Sequence, residues 1–458
     1  MRFHKGISKL NISTQPYQKT IRHIKISSMS IISQLCAEVK LPKMIKLRQL
    51  HDRGNIEEKD IPQAIFAELS RPGLENAIKP GMKIAITCGS RGVNNIALIT
   101  RSIAEFVKQK GASPFVVPAM GSHGGATAEG QKALLESYGV NEAYIGCPIV
   151  SSMETVEIGK SESGPGGKSY GVRIDKNAAE ADGIIAAGRV KPHTGFRGAY
   201  ESGIMKMLAI GLGKREGADI CHQNGFAHMA EMVELFGKTV IKHAPLCLGF
   251  AILENAYGES CKFVALKPEE IITEEPKLLE EARSHLPLIY FDTADILVVD
   301  KIGKDISGDG MDPNITGANP CTPYVTGGLK ATRTVVLDLT PNTHGQAMGM
   351  GAAHVVTRRF FNKLDLDATY VNAVTARSLD YVRIPAIVEN DREAVQLALR
   401  CCLGHNPDKP RVIRIADSMH TDTIWVSEAM REEVAANCKL EIISEAKDWP
   451  FDQNGNLW

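Results

Sequence analysis

The chain has 458 residues, which is enough for two or three domains and a large hydrophobic core. Lysine plus arginine and aspartate plus glutamate both number 53, so the formal net charge is zero. This balance argues against nucleic-acid and membrane-surface proteins, which usually carry a basic excess or stripe. Aromatic residues make up only 6% while glycines number 41, which suits a glycine-rich α/β enzyme better than a β-sandwich.

The ten cysteines are scattered along the chain and form no CxxC pair, so the sequence has no zinc-ribbon or thioredoxin signature. Scattered thiols in a chain of this length indicate a reducing compartment, and we expect a cytoplasmic protein. No run of about 18 consecutive apolar residues occurs, so the sequence predicts no membrane-spanning helix.

Residues 1–40 read as a basic N-terminal extension. The first 37 residues contain no aspartate or glutamate but carry six basic residues, and they lack the apolar segment of a secretory signal. Three interpretations stay open: a transit peptide, a disordered tail, or a start codon assigned upstream of a true start at Met29. We assign residues 1–40 to neither of the two domains predicted below.

From about residue 80, the patterns of buried strands and amphipathic helices alternate. The first series comprises strands at 82–87, 113–120, 181–190 and 246–255, and helices at 93–111, 127–139, 229–244 and 267–287. The second series comprises strands at 291–303, 333–340, 411–416 and 439–444, and a helix at 391–404. We therefore predict two α/β domains with mainly parallel sheets, residues 41–286 and 287–458.

Loops that follow predicted strands are the first place to look for a site, because open parallel sheets bind ligands beyond the carboxyl ends of their strands. The loop TCGSRGVNN, between a strand and a helix, contains Gly89, Ser90 and Arg91. Backbone N–H groups at the helix start favour an anion, and Arg91 adds a bidentate contact to a phosphate or carboxylate. An ordinary tight turn with an exposed arginine is the alternative.

Two further strand-end loops each carry one histidine. His123 lies between Ser122 and two glycines in AMGSHGGATAEG, and His193 follows Pro192 in VKPHTGFRG. The glycines let a ligand approach closely, and the proline stiffens the presentation of His193. Two imidazoles that face each other across a crevice provide the acid and the base that a racemase or epimerase requires. The alternative for each is a histidine that only shapes its loop.

Lys206 places an amine inside the apolar run GIMKMLAIGLG. If this run is helical, the lysine lies in a stripe of small residues, which leaves room for a planar ligand. Desolvation there would lower the pKa of the amine toward that of a nucleophile. The alternative is a lysine that snorkels from a half-buried helix. The predicted stripe comprises Ser202, Lys206, Ala209 and Gly213.

His222, in DICHQNG, is a candidate for a single metal ligand, because imidazole suits nickel, zinc and copper. A structural histidine at a helix end is the alternative. We interpret Lys214 and Arg215 as solvated charges, and Cys221 as a bystander or a support for the ligand. We interpret His228, His243 and His285 as structural histidines. His344 stays unassigned.

In their order along the chain, GSHGG with His123, VKPHTGF with His193, then Lys206 and His222 resemble the lactate racemase-type family of nickel-pincer isomerases. The resemblance covers most of residues 60–340. It implies two linked α/β domains with the active site in the cleft between them. It also implies a cofactor in which nickel is held by a pyridinium-3-thioamide-5-thiocarboxylic acid mononucleotide. Dedicated enzymes would synthesise this cofactor and would contact the protein transiently.

The resemblance also implies roles for these residues in the racemisation of a 2-hydroxy acid. Lys206 would hold the cofactor covalently as a thioamide, and His222 would complete the coordination of nickel. His123 and His193 would be the paired acid/base groups, while the carbon-bound hydride moves to the cofactor and back to the other face. The carboxyl or phosphate side of the cofactor would be held by Gly89, Ser90 and Arg91.

The sequence departs from the family pattern in the second domain. KDISGDGMDPNITG begins like the family's segment but lacks the glutamine and lysine expected just after it. We take Lys304, Asp309 and Asn314 as tentative substrate contacts, with turn formers as the alternative for the last two. The departure favours a substrate that is larger or richer in hydroxyl groups than lactate, and hence a divergent subgroup.

Two rival functions stay open on the sequence alone. His123, His193 and His222 would together make the three-histidine zinc site of a hydrolase or lyase, although this gives Lys206 no role. A covalently held cofactor without turnover would make the chain a binding protein. For the isomerase we expect a small-molecule hydroxy acid as partner, neither nucleic acid nor membrane, and the sequence is compatible with a homo-oligomer.

Overall fold

The structure is a computed structural model that describes residues 30–90, 92–319, 325–375 and 378–458. Most of the predicted N-terminal extension and Arg91 lie outside the described residues. In chain order the strands are β1 (Met44–Gln49), β2 (Lys83–Cys88), β3 (Ser113–Pro118), β4 (Thr155–Lys160), β5 (Gly171–Asp175), β6 (Gly183–Arg189), β7 (Leu246–Glu254), β8 (Ser260–Leu266), β9 (Thr293–Ile302), β10 (Lys330–Leu339), β11 (Val355–Thr357), β12 (Ala386–Val388), β13 (Val412–Ile415), β14 (Thr423–Ser427) and β15 (Leu440–Lys447).

The α-helices are α1 (Ile31–Ala37), α2 (Ile61–Leu69), α3 (Ile96–Gln109), α4 (Ala128–Ser137), α5 (Glu142–Ile145), α6 (Lys176–Ala179), α7 (Ile204–Lys206), α8 (Lys214–His222), α9 (Met229–His243), α10 (Pro268–Ser284), α11 (Pro313–Thr316), α12 (Arg358–Asn362), α13 (Leu366–Thr375), α14 (Asp391–Arg400) and α15 (Arg431–Ala436). A π-helical turn, Met207–Gly211, directly follows α7. Within the described ranges, none of the helices combines the length and the apolar character needed to cross a bilayer.

The first sheet has the strand order β3-β2-β6-β7-β8, in which only β8 runs antiparallel to its neighbour. Successive residues of β2 face opposite cores: Ile84 and Ile86 pack in the cluster formed with α2 and α3, whereas Ala85 packs in the cluster formed with α7 to α10. Helices therefore cover both faces, which explains why the strands of this sheet are nearly continuous apolar runs.

The second sheet has the order β12-β11-β10-β9-β13-β14-β1-β15. The five strands from β12 to β13 are parallel, and β14, β1 and β15 continue the sheet in antiparallel fashion. The predicted fold class, two α/β sheets with mainly parallel strands, is confirmed.

The first strand of the chain belongs to the second sheet. β1 pairs with β14 and β15, so the segment around Met44–Gln49 does not lie in the first domain as the range 41–286 had it. Its partners lie near the end of the chain, where a local pattern gives no sign of the pairing. The chain thus crosses between the sheets twice, between β1 and β2 and again between β8 and β9. Gln49 connects the two crossing segments: its side chain donates to the Leu288 carbonyl at 3.1 Å and accepts from the Tyr290 N–H at 2.9 Å.

Candidate functional site

Three neighbouring strands of the first sheet end at one edge, and their loops carry predicted polar residues. Gly89 and Ser90 follow β2, His123 follows β3, and His193 follows β6. Because β3, β2 and β6 are adjacent and parallel, the three loops emerge side by side at the carboxyl edge of the sheet. Two of the loops are in direct contact, since Ser90 Oγ lies 2.5 Å from His123 Nδ1.

The segment that carries Lys206 lies across this edge. α7 ends at Lys206 and continues into the π-helical turn, where the N–H of Leu212 donates to the carbonyl of Met207 at 2.9 Å. The N–H of Gly121 donates to the carbonyl of Gly211 at 3.1 Å, which joins the π turn to the His123 loop. Such i→i+5 turns are rare and occur frequently at functional sites.

Glycines at the strand ends permit this close approach. A Cβ on Gly188, in β6, would lie 3.1 Å from the carbonyl oxygen of Gly203, and one on Gly89 would lie 3.1 Å from the terminal methyl of Met207. Lys206 lies between Gly203 and Met207 in the chain, and therefore over the carboxyl ends of β6 and β2. A larger residue at Gly188 would press on the backbone that leads into the lysine-bearing helix, whereas one at Gly89 would displace only the end of the flexible Met207 side chain.

The predicted stripe of small residues around Lys206 is wrong. Ser202 precedes the helix and pairs with Lys191 through two backbone hydrogen bonds of 3.0 and 3.1 Å. The π turn then changes the angular spacing, so Ala209 and Gly213 do not follow Lys206 at the 3.6-residue period on which the stripe was based. Lys206 itself is half-buried, as a lysine at the edge of a core was expected to be.

Glu275 of α10 fixes the start of the lysine-bearing helix. Its Oε2 accepts the N–H of Met205 at 2.9 Å, while α7 has no cap from its own N-terminal side chain. Burial raises the pKa of Glu275 to about 8, against the backbone hydrogen bonds from Met205 and Ile204, which lower it. Sequence reasoning missed this residue, because the charged run around it reads as the exposed face of a long helix.

His123 is exposed, and its loop is held from behind. Gln131 donates from Nε2 to the carbonyls of Gly121 and His123 at 3.0 and 3.2 Å. The hydroxyl of Tyr138 donates to the carbonyl of Ser90 at 2.9 Å, which supports the serine that contacts the imidazole. The loop backbone is therefore fixed by side chains of α4 and its C-terminal end.

His193 is fixed at its backbone and at its ring. Its N–H donates to Oε2 of the buried Glu201 at 2.7 Å, and its ring packs against Phe196 with centroids 4.4 Å apart. The N–H of Gly195 donates to His193 Nδ1 at 2.9 Å. Because Nδ1 accepts this bond, the neutral ring carries its hydrogen on Nε2.

His222, the last residue of α8, is held in one tautomer. Its Nδ1 lies 2.6 Å from the carbonyl oxygen of Ala218. A carbonyl only accepts, so Nδ1 carries a hydrogen and, in the neutral ring, Nε2 carries the lone pair, which is the form of a histidine that binds a metal. Phe226 connects this residue to the His193 loop: its ring centroid lies 6.4 Å from that of His222, and its Cε1 lies 2.8 Å from the position of a Cβ on Gly195.

Cys221 is a buried neutral thiol. Burial raises its pKa to about 12, and the nearby charge of Lys206 acts in the opposite direction. A thiol with a raised pKa is a poor nucleophile, and both interpretations of Cys221, a bystander or a support for the ligand, stay predictions.

The histidines do not converge on a three-ligand metal site. Across the residues that the structure describes, no three His, Cys, Asp or Glu side chains lie where they could hold one metal ion together. The three-histidine zinc site proposed as a rival for His123, His193 and His222 is therefore not formed. A single ligand such as His222 remains compatible with a metal whose other donors come from a cofactor.

The second domain meets the His193 loop at Asn314. Arg197 donates to the Asn314 side-chain oxygen and, at 2.6 Å, to the His193 carbonyl, while Asn314 Nδ2 donates to Asp312 Oδ1 at 2.7 Å. Asn314 is thus buried and hydrogen-bonded between the domains. Lys304 donates from Nζ to the carbonyl of Gly308 at 2.7 Å.

Lys214 is not the solvated charge that the sequence analysis expected. Its side chain is completely buried, and Nζ lies 3.2 Å from Asp175 Oδ2. The charged neighbours in GKREG suggested a surface, but the partners that bury the amine come from distant parts of the chain. Arg215 is exposed as expected.

The remaining histidines lie at helix ends or in loops. His228 is exposed beside Glu231, His243 ends α9, and His285 follows α10 with Nδ1 3.5 Å from Cys261 Sγ. His344 lies in the loop after β10 in the left-handed region, with φ 50°.

Comparisons with known proteins bear on the first domain. Residues 32–233 match the family model described as the lactate racemase N-terminal domain. Among solved structures, the chain is similar to the lactate racemase apoprotein from Thermoanaerobacterium thermosaccharolyticum, with 15% identity, 81% of this chain and 93% of that chain covered, and a TM-score of 0.42. No curated protein matches the chain. Residues 32–233 are therefore similar to the lactate racemase N-terminal domain.

Proposed function

We propose that the chain is a nickel-pincer-dependent racemase or epimerase of a 2-hydroxy acid or a related hydroxylated substrate. The position of Lys206 carries the proposal. A half-buried amine lies on a helix that crosses the carboxyl ends of parallel strands, and the loops of those strands hold His123 and His193. This edge is where open α/β sheets bind ligands, and an amine packed there is better suited to acylation than to solvation.

The residues around Lys206 fit the pyridinium-derived mononucleotide and its nickel. His222 offers a neutral imidazole with the lone pair on Nε2, and its other nitrogen is held by the Ala218 carbonyl as is usual for a metal ligand. The loop after β2 leads into α3, whose first N–H groups favour an anion, and there Gly89, Ser90 and Arg91 would hold the acidic side of the nucleotide. When bound, the cofactor supplies an acceptor and donor of hydride for the carbon that bears the hydroxyl group.

Proton transfer falls to the two histidines. In the neutral form described, His193 carries its hydrogen on Nε2 and is suited to donate a hydrogen bond to a substrate oxygen. His123 contacts the Ser90 hydroxyl and is suited to accept the hydroxyl proton and to return it. The opposite enantiomer would require the two roles to be exchanged, so that each enantiomer meets a base on its own side.

The substrate is proposed to differ from lactate. Asn314, a tentative substrate contact, is engaged by Arg197 and Asp312, so a ligand would reach its amide only by displacing one of these partners. Lys304 and Asp309 remain the other tentative contacts. We propose a larger or hydroxyl-rich hydroxy acid, a cytoplasmic location and transient contact with the enzymes that make the cofactor. A substrate panel in which lactate alone is turned over would contradict the divergent specificity.

Intact mass and metal analysis test the core of the proposal. The chain is produced with and without the cofactor-making enzymes, and nickel and zinc are measured on each sample. We expect an added mass at Lys206 together with nickel, absent from Lys206→Ala and unchanged in Lys238→Ala, whose amine is exposed on α9 beside Glu234. Stoichiometric zinc on unmodified protein would contradict the proposal. Bound nickel cofactor without isomerisation of any hydroxy acid would leave the binding-protein alternative.

A further inference from the structure

Lys214 forms an ion pair and hydrogen bonds that are completely buried. Its Nζ lies 3.2 Å from Asp175 Oδ2, and both side chains are 0% exposed. The same amine donates to the Pro118 carbonyl at 2.5 Å and to Gln131 Oε1 at 3.1 Å. Asp175 in turn caps α6 through its other oxygen, which accepts the N–H of Ala178 at 3.0 Å.

The amine of Lys214 lies where the elements of the candidate site meet. Lys214 follows the turn that begins after Lys206, and it opens α8, whose last residue is His222. Pro118 ends the strand that precedes the His123 loop. Gln131 donates from Nε2 to the backbone carbonyl of His123, so hydrogen bonds run from the Lys214 amine through one amide group to that loop.

This arrangement has two identifiable energetic costs. Lys214 adopts a left-handed conformation with φ 52°, which is strained for a side chain other than glycine. Desolvation lowers the pKa of its amine in spite of Asp175. Replacing a buried ion pair as a whole by uncharged groups is often neutral or stabilising, whereas removing one partner leaves an uncompensated charge.

Backbone strain of this kind occurs in two other loops of the first sheet and in one loop of the second. The other described non-glycine residues with positive φ are Asn95, Ala126 and His344. They lie in the loops that follow β2, β3 and β10. Strained conformations persist where the surrounding contacts over-determine them, and they cluster at functional sites.

We propose that Lys214 is a positioning residue that fixes the His123 loop relative to the segment carrying Lys206 and His222. The proposal rests on the proposed function for what these three residues do, and on the hydrogen bonds of Lys214 and Gln131 for how they are held together. Lys214 itself does not touch substrate or cofactor.

The test measures the reactivity of His123 and the stability of the same variants. Diethylpyrocarbonate modifies neutral imidazoles, and mass spectrometry of peptides gives the rate at His123 with the exposed His228 as an internal reference. The variants are Lys214→Met, Lys214→Met combined with Asp175→Asn, and Gln131→Leu. Asparagine keeps the oxygen that caps α6. Arg215→Met, at the exposed neighbouring position, is the control.

We expect Lys214→Met to lower the midpoint of thermal unfolding and to change the His123 rate by roughly twofold to tenfold, the factor for one lost hydrogen bond. The double variant should recover most of the lost midpoint while the altered rate persists. Gln131→Leu should alter the rate in the same direction, and Arg215→Met should change neither quantity.

A double variant that restores both the midpoint and the His123 rate would overturn the proposal, because the ion pair would then serve stability alone. An unchanged His123 rate in Gln131→Leu would overturn it as well, and that variant decides the matter if the double variant does not fold. The measurement needs neither cofactor nor substrate, so it succeeds or fails independently of the proposed function.

Discussion

The Nδ1 atom of His222 lies 2.6 Å from the carbonyl oxygen of Ala218, one turn earlier in the same helix. This contact helps to distinguish the two roles that a sequence allows for a histidine at a helix end, a structural residue or a metal ligand. A histidine that only interacts with the helix dipole needs no particular tautomer, whereas a metal ligand needs a lone pair on the nitrogen that faces the metal.

Replacement of His222 by alanine should remove nickel from the loaded protein. We expect nickel affinity to fall by roughly 100-fold or more, since loss of a supporting contact alone costs 10- to 100-fold. The covalent mass at Lys206 should remain. His243→Ala is the matched control, because His243 also ends a helix, is exposed and has no proposed role. Equal nickel content in the two variants would contradict the assignment of His222 as a nickel ligand.

The two candidate acid/base histidines should be dispensable for loading and essential for turnover. His123→Ala and His193→Ala are expected to carry cofactor and nickel like the unmodified chain, because neither side chain is proposed to bind them. Their isomerase activity should fall by roughly 100- to 10,000-fold, the usual contribution of a positioned acid or base. The control is His228→Ala, at an exposed position beside Glu231. Normal racemisation by both variants would contradict the assignment.

The neutral tautomer of His193 can be measured directly. Because the N–H of Gly195 donates to Nδ1 of His193, nitrogen NMR should find the hydrogen of this ring on Nε2. In His222 it should find the hydrogen on Nδ1, because Nδ1 donates to the Ala218 carbonyl. The two rings thus serve as controls for each other in one spectrum. The same tautomer in both would show that one of these backbone contacts does not form in solution.

Much of the site could be predicted from the sequence because its parts are local. Ser90, His123 and His193 each follow a strand with a clear apolar pattern, and parallel strands bring such loops to one edge. The π turn after Lys206 was missed because an apolar run gives no sign of a change from 3.6 residues per turn. Lys214 was misread because its burial depends on Asp175 and Gln131, which only the tertiary fold brings near. The pairing of β1 with β14 and β15 was out of reach for the same reason.

Glu275 should make the stability of the protein depend on pH. Its pKa is raised to about 8 by burial, so the folded state holds a proton that the unfolded chain releases near pH 4 to 5. Its contribution to stability is fully present below the unfolded pKa and is lost as the pH rises through the folded one. A shift of this size corresponds to at most about 5 kcal/mol.

The variant Glu275→Gln cannot ionise, so its stability relative to the unmodified chain should rise from pH 5 to about pH 8 and level off above that. Denaturant unfolding at a series of pH values measures this difference. Glu274→Gln is the control: that neighbouring carboxylate is partly exposed, and its hydrogen bond with Lys277 lowers its pKa below the usual value, so it stays ionised across this range. A difference between Glu275→Gln and the unmodified chain that stays constant with pH would mean that the buried carboxyl group does not ionise in this range.

The contact between Arg197 and Asn314 should couple the two domains. Arg197 donates to the Asn314 side chain and to the carbonyls of His193 and Thr326, and Asn314 donates to the His193 carbonyl at 3.4 Å. The backbone of a proposed catalytic residue is thus tied to the second domain. Removing Arg197 takes the donor away from the buried side-chain oxygen of Asn314, at a cost of about 1–3 kcal/mol.

A double-mutant cycle tests this coupling. Arg197→Ala and Asn314→Ala should each destabilise the protein, but the double variant should lose less than the sum, with an interaction free energy of roughly 1–2 kcal/mol in denaturant unfolding. Arg400→Ala provides the control, because Arg400 pairs with Glu38 at an exposed position and should combine additively with Arg197→Ala. Additivity in both pairs would contradict the coupling, because the hydrogen bond from Arg197 to the Asn314 side chain would then contribute nothing measurable to the stability of the protein.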